Sequence, residues 1–312
     1  MTKGNVANLL LPTLMHVIGH EKERALLGRI AQGNMAERAF LLFGPSGIGK
    51  SLVAESFVRQ LLGIGAEDDG QVLSQDLLVL APDGDHVIQA ARTADLSLES
   101  AREAKDFLSR YPSKGKYRVV LVLDAETLNH ASQNALLKVL EEPNGTSVLV
   151  LVANDRGMLL PTILSRVRQV PFSLLPEAVI REGIGQLFPG KDTALEPFFF
   201  TLGRPGIVIR ALGDESAFAK RRDLLRQLFR VSTLSFAERA KLSEALSDDA
   251  ADAVTLLEWW LAGLRTSALR EPSAVRSEKF FGLLESIDAA IRTLRSVPVN
   301  ARLQLDALLF SI

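Results

Sequence analysis

The stretch that decides the fold of this chain reads Gly44-Pro45-Ser46-Gly47-Ile48-Gly49-Lys50-Ser51. It fits the P-loop pattern of a glycine, four residues and then Gly-Lys-Ser, between a strand-like apolar run at 39–43 and a helix-like run at 52–57. Glycines let backbone N–H groups close around an anion, and the helix N-terminus adds its positive dipole end. We therefore expect a nucleotide site in which Lys50 reaches the β- and γ-phosphates and Ser51 helps to hold Mg²⁺. The alternative interpretation is a glycine-rich turn without a ligand.

Composition bounds the class of protein. The chain has 312 residues, 47% of them hydrophobic and 23% charged, which predicts a globular protein of two or three domains. A net charge of −1 gives no overall attraction to DNA or to anionic membranes. The absence of cysteine excludes disulfides and thiolate metal sites, and we interpret each of the four scattered histidines as a surface or capping residue. No signal peptide or membrane-spanning run is evident, so a cytoplasmic location is expected.

Strand-like and helix-like runs alternate through the first half of the chain. This pattern predicts an α/β fold: a parallel-sheet core of the P-loop type with helices on both sides. Strands are expected at 76–80, 117–124, 147–153 and 167–172, and helices at 97–110, 131–142 and 158–166.

The second half of the chain is helical in its periodicity. We predict a nucleotide-binding domain at 1–172, a small helical lid at 173–213 and an all-helical bundle at 214–312, with breaks near 248–249 and 271–272.

Asp124 ends the most apolar run of the chain and is the candidate for the second acid of the site, which holds Mg²⁺ together with Ser51. The alternative is an ordinary aspartate at a strand end. Many P-loop ATPases place a glutamate directly after this acid to polarise the attacking water, but here Ala125 follows and Glu126 comes one position later. Because successive strand residues face opposite sides, Glu126 is expected to point away from the γ-phosphate. Nucleotide binding without efficient turnover follows from this prediction.

Two further stretches carry a resemblance to a known family. They are Asn134-Ala135-Leu136-Leu137-Lys138-Val139-Leu140-Glu141-Glu142-Pro143 and Leu160-Pro161-Thr162-Ile163-Leu164-Ser165-Arg166. Together they resemble the clamp-loader branch of the AAA+ superfamily and, within it, the delta-prime subunit family of bacterial DNA polymerase III. The resemblance is strong over 14–172 and moderate over 173–213. The remaining helical part of the chain resembles the family only in its length and its helical character.

The resemblance implies a function and its partners. Clamp-loader subunits form an open ring held by a collar of C-terminal helical domains, and they load a sliding clamp onto primed DNA at the expense of ATP. The implied partners are the gamma/tau and delta subunits, the sliding clamp and, through the complex, primed DNA. The family's Ser-Arg-Cys motif supplies an arginine finger in trans, which here would be Arg166; an exposed helix-end arginine is the alternative.

Several positions depart from the family pattern. Val167 stands in place of the motif's cysteine, and the cysteines that hold zinc in related subunits are missing, so zinc is not expected. The lid motif of the ATPase members ends in a sensor arginine, whereas this chain reads Gly203-Arg204-Pro205-Gly206; Arg204 or Arg210 could substitute. Asn154 follows a predicted strand and is a candidate for the other sensor, or a simple turn residue.

The prediction from sequence is therefore a clamp-loader subunit that binds ATP, hydrolyses it weakly or not at all, and donates Arg166 to a neighbour. Two rival functions remain: an autonomous AAA+ motor, such as a gamma/tau-like subunit or a helicase, and a scaffold whose P-loop is a relic.

Overall fold

The computed structural model describes residues 17–33, 36–64, 75–82, 93–94, 96–141, 144–190, 202–213, 215–270, 278–296 and 300–312. The described residues up to Gly190, together with Arg204–Gly206, form one compact unit, and those from Ile207 to Ile312, with 202–203, form a second. The division into three domains with limits at 172 and 213 stays a prediction.

The first unit is built on a six-stranded sheet with the strand order β3-β2-β4-β5-β1-β6, in which every pair is parallel. The strands are β1 (Ala39–Phe43), β2 (Leu77–Leu80), β3 (Thr93–Ala94), β4 (Arg118–Val122), β5 (Ser147–Ala153) and β6 (Arg168–Pro171). The helices of this unit are α1 (Glu21–Gln32), α2 (Lys50–Leu62), α3 (Leu98–Leu108), α4 (His130–Glu141), α5 (Pro161–Leu164) and α6 (Glu177–Leu187).

Both faces of this sheet are covered, as the uninterrupted apolar strands predict. Phe40 and Leu42 of β1 pack on one side with Phe57 of α2, while Leu41 between them packs on the other side with Ala104 of α3. The predicted P-loop parallel-sheet core is confirmed.

One predicted helix is wrong in its extent. Residues 158–166 form a short 3-10 turn at Arg156–Met158 followed by the four-residue helix α5, rather than one continuous helix. Leu159 between them is extended, and Leu160, with φ −59° and ψ 138°, is not helical. The physical reason is Pro161, which starts α5 and disfavours the helical conformation in the residue before it.

The second unit is helical throughout its described length. Helix α7 (Pro205–Gly213) begins in the first unit and continues into this one, followed by α8 (Glu215–Phe229), a 3-10 turn (Val231–Thr233), α9 (Phe236–Ser247), α10 (Ala250–Arg270), α11 (Glu278–Ser296) and α12 (Ala301–Phe310). The predicted break near 248–249 separates α9 from α10, and the one near 271–272 lies outside the described residues. None of the described helices combines the length and apolar content needed to cross a bilayer.

Candidate functional site

The P-loop follows β1 and has the backbone shape that its glycines predict. Gly44, Gly47 and Gly49 have φ angles of 147°, 74° and 98°, in the region that glycine alone adopts without strain. A Cβ on Gly44 would lie 2.2 Å from the carbonyl oxygen of Phe172, so no side chain fits there. Gly49 caps α2 without any side-chain hydrogen bond to the first turn, which leaves that turn suited to an anion.

Lys50 is buried to 5% exposure at the start of α2. Its Nζ donates to the carbonyl oxygen of Pro45 at 2.7 Å and to Oδ1 of Asn154 at 2.9 Å. The ammonium group is therefore held between the P-loop and the end of β5. This contact brings Asn154 into the site, where the sequence left a sensor and a simple turn residue as equal alternatives.

Asn154 connects Lys50 to two carboxylates. Its Nδ2 donates to Oε1 of Glu126 at 2.6 Å and lies 3.5 Å from Oδ1 of Asp124. Burial raises the pKa of Glu126 above 4.5, and the nearby charge of Asp124 adds to the rise against the hydrogen bonds that lower it. The site thus combines one ammonium and two carboxylates around a single amide.

The position of Glu126 corrects the sequence prediction that it points away. Strand β4 ends at Val122, and Asp124 adopts a left-handed conformation (φ 47°, ψ 47°) that leads into a 3-10 turn at Ala125–Thr127. Because the chain is no longer extended there, the alternation of strand faces does not apply, and the turn brings Glu126 to Asn154.

Sheet order explains why these groups meet. β4, β5 and β1 are neighbours, and Asp124, Asn154 and the P-loop each follow the carboxyl end of one of them. This edge is where open parallel sheets bind ligands. Ser51 lies exposed in the first turn of α2, and Asp124 is partly exposed. These oxygen donors, with the glycine cradle and Lys50, fit a magnesium-bound nucleoside triphosphate.

The segment Arg204–Gly206 lies directly on the P-loop. Nη1 of Arg204 donates to Oγ of Ser46 at 2.9 Å, and the N–H of Gly206 donates to the carbonyl oxygen of Gly47 at 2.9 Å. A Cβ on Gly206 would lie 2.9 Å from that same oxygen, so this position has no room for the family's sensor arginine. Arg210 belongs to the second unit, among the charges of Arg221, Asp252 and Glu258. Of the two substitutes that the sequence offered, Arg204 contacts the loop.

Sequence reasoning missed the role of His20, which was interpreted as a surface or capping residue. His20 is buried to 5% exposure, and its Nε2 lies 3.0 Å from the carbonyl oxygen of Ile48 in the P-loop. Because the acceptor is a carbonyl oxygen, Nε2 donates this hydrogen bond. Burial lowers the pKa of His20 below 6.5, against the raising effect of Glu23. Val17 also approaches the loop, with Cγ1 3.6 Å from a Cβ built on Gly49. His20 and Ile48 are 28 residues apart, and no local sequence pattern predicts a contact between them.

Arg166 lies at the opposite edge of the sheet. It follows α5 and precedes β6, whose first residue is Arg168, and β6 runs parallel to β1. Arg166 therefore belongs to the amino edge, whereas the P-loop belongs to the carboxyl edge. Its side chain is 38% exposed, and Val167 beside it is buried in the core.

A cavity of about 220 Å³ adjoins Arg166. Its lining combines apolar and charged residues and includes Glu37, Arg38, Ala39, Val139, Leu140 and Arg166.

Comparison with known proteins places these features in one family. Residues 19–176 match the family model described as DNA polymerase III, delta subunit. The chain is 30% identical to the DNA polymerase III subunit delta' of Pseudomonas aeruginosa over 226 residues, which cover 68% of this chain and 69% of that one. It is 28% identical to the gamma/tau subunit of Mycobacterium bovis over 63% of this chain but only 34% of that longer protein.

A solved structure shares the fold. The gamma subunit-related protein of DNA polymerase III from Thermotoga maritima superposes with a TM-score of 0.56 over 93% of this chain and 98% of that one. At 19% sequence identity this likeness supports the architecture alone.

Proposed function

The chain belongs to the delta-prime family of DNA polymerase III subunits, in the clamp-loader branch of the AAA+ superfamily, and we propose that it supports ATP-dependent loading of a sliding clamp onto primed DNA. Its specific contribution is an arginine finger, Arg166, donated to the ATP site of a neighbouring subunit. The neighbours proposed for it are gamma/tau and delta subunits in a cytoplasmic complex, with the second, helical unit serving as its collar.

The observation that carries this proposal is the place of Arg166. Each strand residue advances about 3.3 Å, so the four-residue strand β6 alone spans about 13 Å. Arg166 lies before this strand, and the chain's own P-loop follows the parallel strand β1. An exposed guanidinium at the amino edge lies at the opposite edge of the sheet from the chain's own nucleotide site and is suited to a site on another chain. There it would stabilise the charge on the transferred phosphoryl group.

The chain's own site supports nucleotide binding. The N–H groups of the P-loop (Gly44–Ser51) and Lys50 would hold the phosphates, and Ser51 and Asp124 would hold Mg²⁺, which neutralises charge on the phosphate oxygens. Asn154 orients Lys50 and the carboxylates.

Two features favour weak turnover although Glu126 contacts Asn154 in the site. Ala125 stands directly after Asp124, where many P-loop ATPases have a water-polarising glutamate, and Gly206 leaves no room for the family's sensor arginine. We therefore propose weak turnover by the isolated chain.

The test of the finger is Arg166→Ala in a complex reconstituted with gamma/tau and delta subunits. An arginine finger contributes about 10³–10⁵-fold at the site it serves, so turnover at that site should fall to near background while the complex still assembles. Arg181→Ala removes another exposed, ion-paired arginine of the same unit and is the matched control. Undiminished ATP turnover by the Arg166→Ala complex would exclude the finger.

Two measurements separate the rival functions. An autonomous motor, such as a gamma/tau-like subunit or a helicase, would turn over ATP several times per second as the purified chain alone. A relic P-loop would bind a labelled ATP analogue equally poorly before and after Lys50→Ala. The present proposal expects slow turnover by the chain alone and a clear loss of analogue binding in the variant.

A further inference from the structure

Arg166 is folded back onto its own chain. Nη1 donates to the carbonyl oxygen of Thr162 at 3.1 Å and lies 3.4 Å from Oγ of Ser165. Nη2 lies 3.3 Å from Oε1 of Glu141 at the end of α4. Both terminal nitrogens of the guanidinium, the groups that a phosphate would accept from, are thus engaged with acceptors of this chain.

Glu141 is the charged member of this set. Within the part of the chain that the structure describes, it is the one carboxylate that forms an ion pair with Arg166. Its side chain is 51% exposed and that of Arg166 is 38% exposed. An ion pair so open to water is weak enough to exchange, because solvent screens the attraction and ordering two long side chains costs entropy.

The surroundings leave room for such an exchange. Arg166 lines the 220 Å³ cavity, and its side chain is 38% exposed, so it is not packed on every side. Thr162, Ser165 and Arg166 itself are exposed, so a movement of the guanidinium away from Glu141 would not disturb the core.

We propose that Glu141 is the resting partner of Arg166: it holds the finger back in the isolated subunit and competes for it with the triphosphate bound by the neighbouring subunit. This inference rests on the proposed finger function. Glu141 is a positioning residue that acts through Arg166, because a carboxylate beside a phosphoryl group would repel it. Engagement therefore requires the guanidinium to change partners.

The consequence is a lowered apparent affinity and an unchanged maximal rate. When only a fraction of molecules has a free finger, the apparent dissociation constant rises by the inverse of that fraction. Exposed ion pairs favour the closed form by up to about fivefold. Glu141→Gln should therefore lower the subunit concentration that gives half-maximal stimulation of the partner ATPase by up to about fivefold, and the rate at saturation should not change.

The experiment titrates the 312-residue chain into the partner ATPase assembly. Glu177→Gln, which breaks another exposed glutamate–arginine pair of the first unit, controls for loss of surface charge and should behave as the native chain. In an Arg166→Ala background, Glu141→Gln should not restore stimulation of the partner ATPase. A half-maximal concentration that is unchanged or raised by Glu141→Gln, or stimulation that Glu141→Gln restores without Arg166, would overturn the proposal.

A second readout is independent of ATP turnover. The side-chain Nε–Hε resonance of Arg166, assigned by its loss in Arg166→Ala, should shift in Glu141→Gln and stay in place in Glu177→Gln. If Arg166→Ala leaves the partner ATPase unchanged, the finger function fails. If Glu141→Gln leaves the resonance in place, the proposal that Glu141 is the resting partner of Arg166 is refuted, while the finger function still stands.

Discussion

Replacing Asp76 by asparagine should loosen the loop between α3 and β4 and destabilise the first unit. Asp76 is buried to 3% exposure just before β2. Its carboxylate accepts the backbone N–H groups of Ser113 at 2.7 Å, Lys114 at 3.0 Å and Gly115 at 3.4 Å. One side chain therefore anchors three successive residues of the loop.

The magnitude follows from these bonds. A hydrogen bond to a charged group contributes about 1.5–3 kcal/mol. Asparagine keeps one accepting oxygen, so an NH₂ group faces either the N–H of Ser113, which Oδ1 accepts, or those of Lys114 and Gly115, which Oδ2 accepts. At least one bond is lost, and those that remain lose the charge of their acceptor. We expect Asp76→Asn to reduce the free energy of unfolding by about 2–4 kcal/mol, which lowers Tm by about 5–15 °C for a unit of this size.

The pH dependence gives the prediction a sign. Burial alone would raise the pKa of Asp76, but the N–H donors outweigh burial and hold it below 3.8. A carboxylate with a lowered pKa stabilises the folded state above 3.8 and loses this contribution as the pH falls through its folded pKa. The difference between native chain and variant should therefore be full at neutral pH and shrink in acid below that value.

The assay is thermal unfolding by far-ultraviolet circular dichroism at several pH values, combined with hydrogen exchange of the loop amides at 113–115. Asp106→Asn, at an exposed position of α3, is the matched control and should change neither. A Tm for Asp76→Asn within a degree or two of the native value, or a loss that is undiminished in acid, would refute the reasoning that the carboxylate's charge holds the loop.

Two other predictions concern the surroundings of the P-loop. Gly206→Ala places a methyl group 2.9 Å from the carbonyl oxygen of Gly47, so it should weaken binding of a labelled ATP analogue. Gly185→Ala is the control, because a Cβ at Gly185 would have nothing within 4 Å. It should leave analogue binding intact and stabilise α6 by about 0.5–1 kcal/mol. Equal affinities for both variants would contradict the close approach. Burial lowers the pKa of His20 below 6.5 in the folded state. Below that pH the unfolded state therefore binds more protons than the folded state, so the free energy of unfolding should fall as the pH drops below 6.5. Urea unfolding should show that His20→Gln removes this part of the pH dependence, and an unchanged dependence would argue against a neutral buried ring.

Local sequence determined much of the first unit. Strand β5 occupies its predicted residues, 147–153, because a continuous apolar run flanked by turn residues fits a strand covered on both faces. Helix α3 begins after Ser97, as predicted, because the Ser97 side chain accepts the N–H of Ser100 at 3.1 Å. The prediction of one continuous helix at 158–166 was wrong, because Pro161 disfavours the helical conformation in the residue before it despite the apolar periodicity.

The P-loop and its glycines were likewise predictable from the sequence alone, because the backbone angles that the loop requires depend on single residues and their neighbours along the chain. Asp124 and Asn154 could be named as candidates for the same reason: each follows a recognisable strand. The sequence also offered Arg166, through the pairing of two motifs.

Only the tertiary structure decided which of these groups meet. Lys50 and Asn154 are 104 residues apart, and Arg204 and Ser46 are 158 apart. The first contact depends on the order of the strands in the sheet. The second depends on the packing of the Arg204–Gly206 segment against the P-loop. Glu126 lies in the site because of the left-handed backbone of Asp124. Glu141 lies beside Arg166 because α4 and α5 are in contact. Periodicity and propensity describe neighbours along the chain, so they carry no information on these distant pairs.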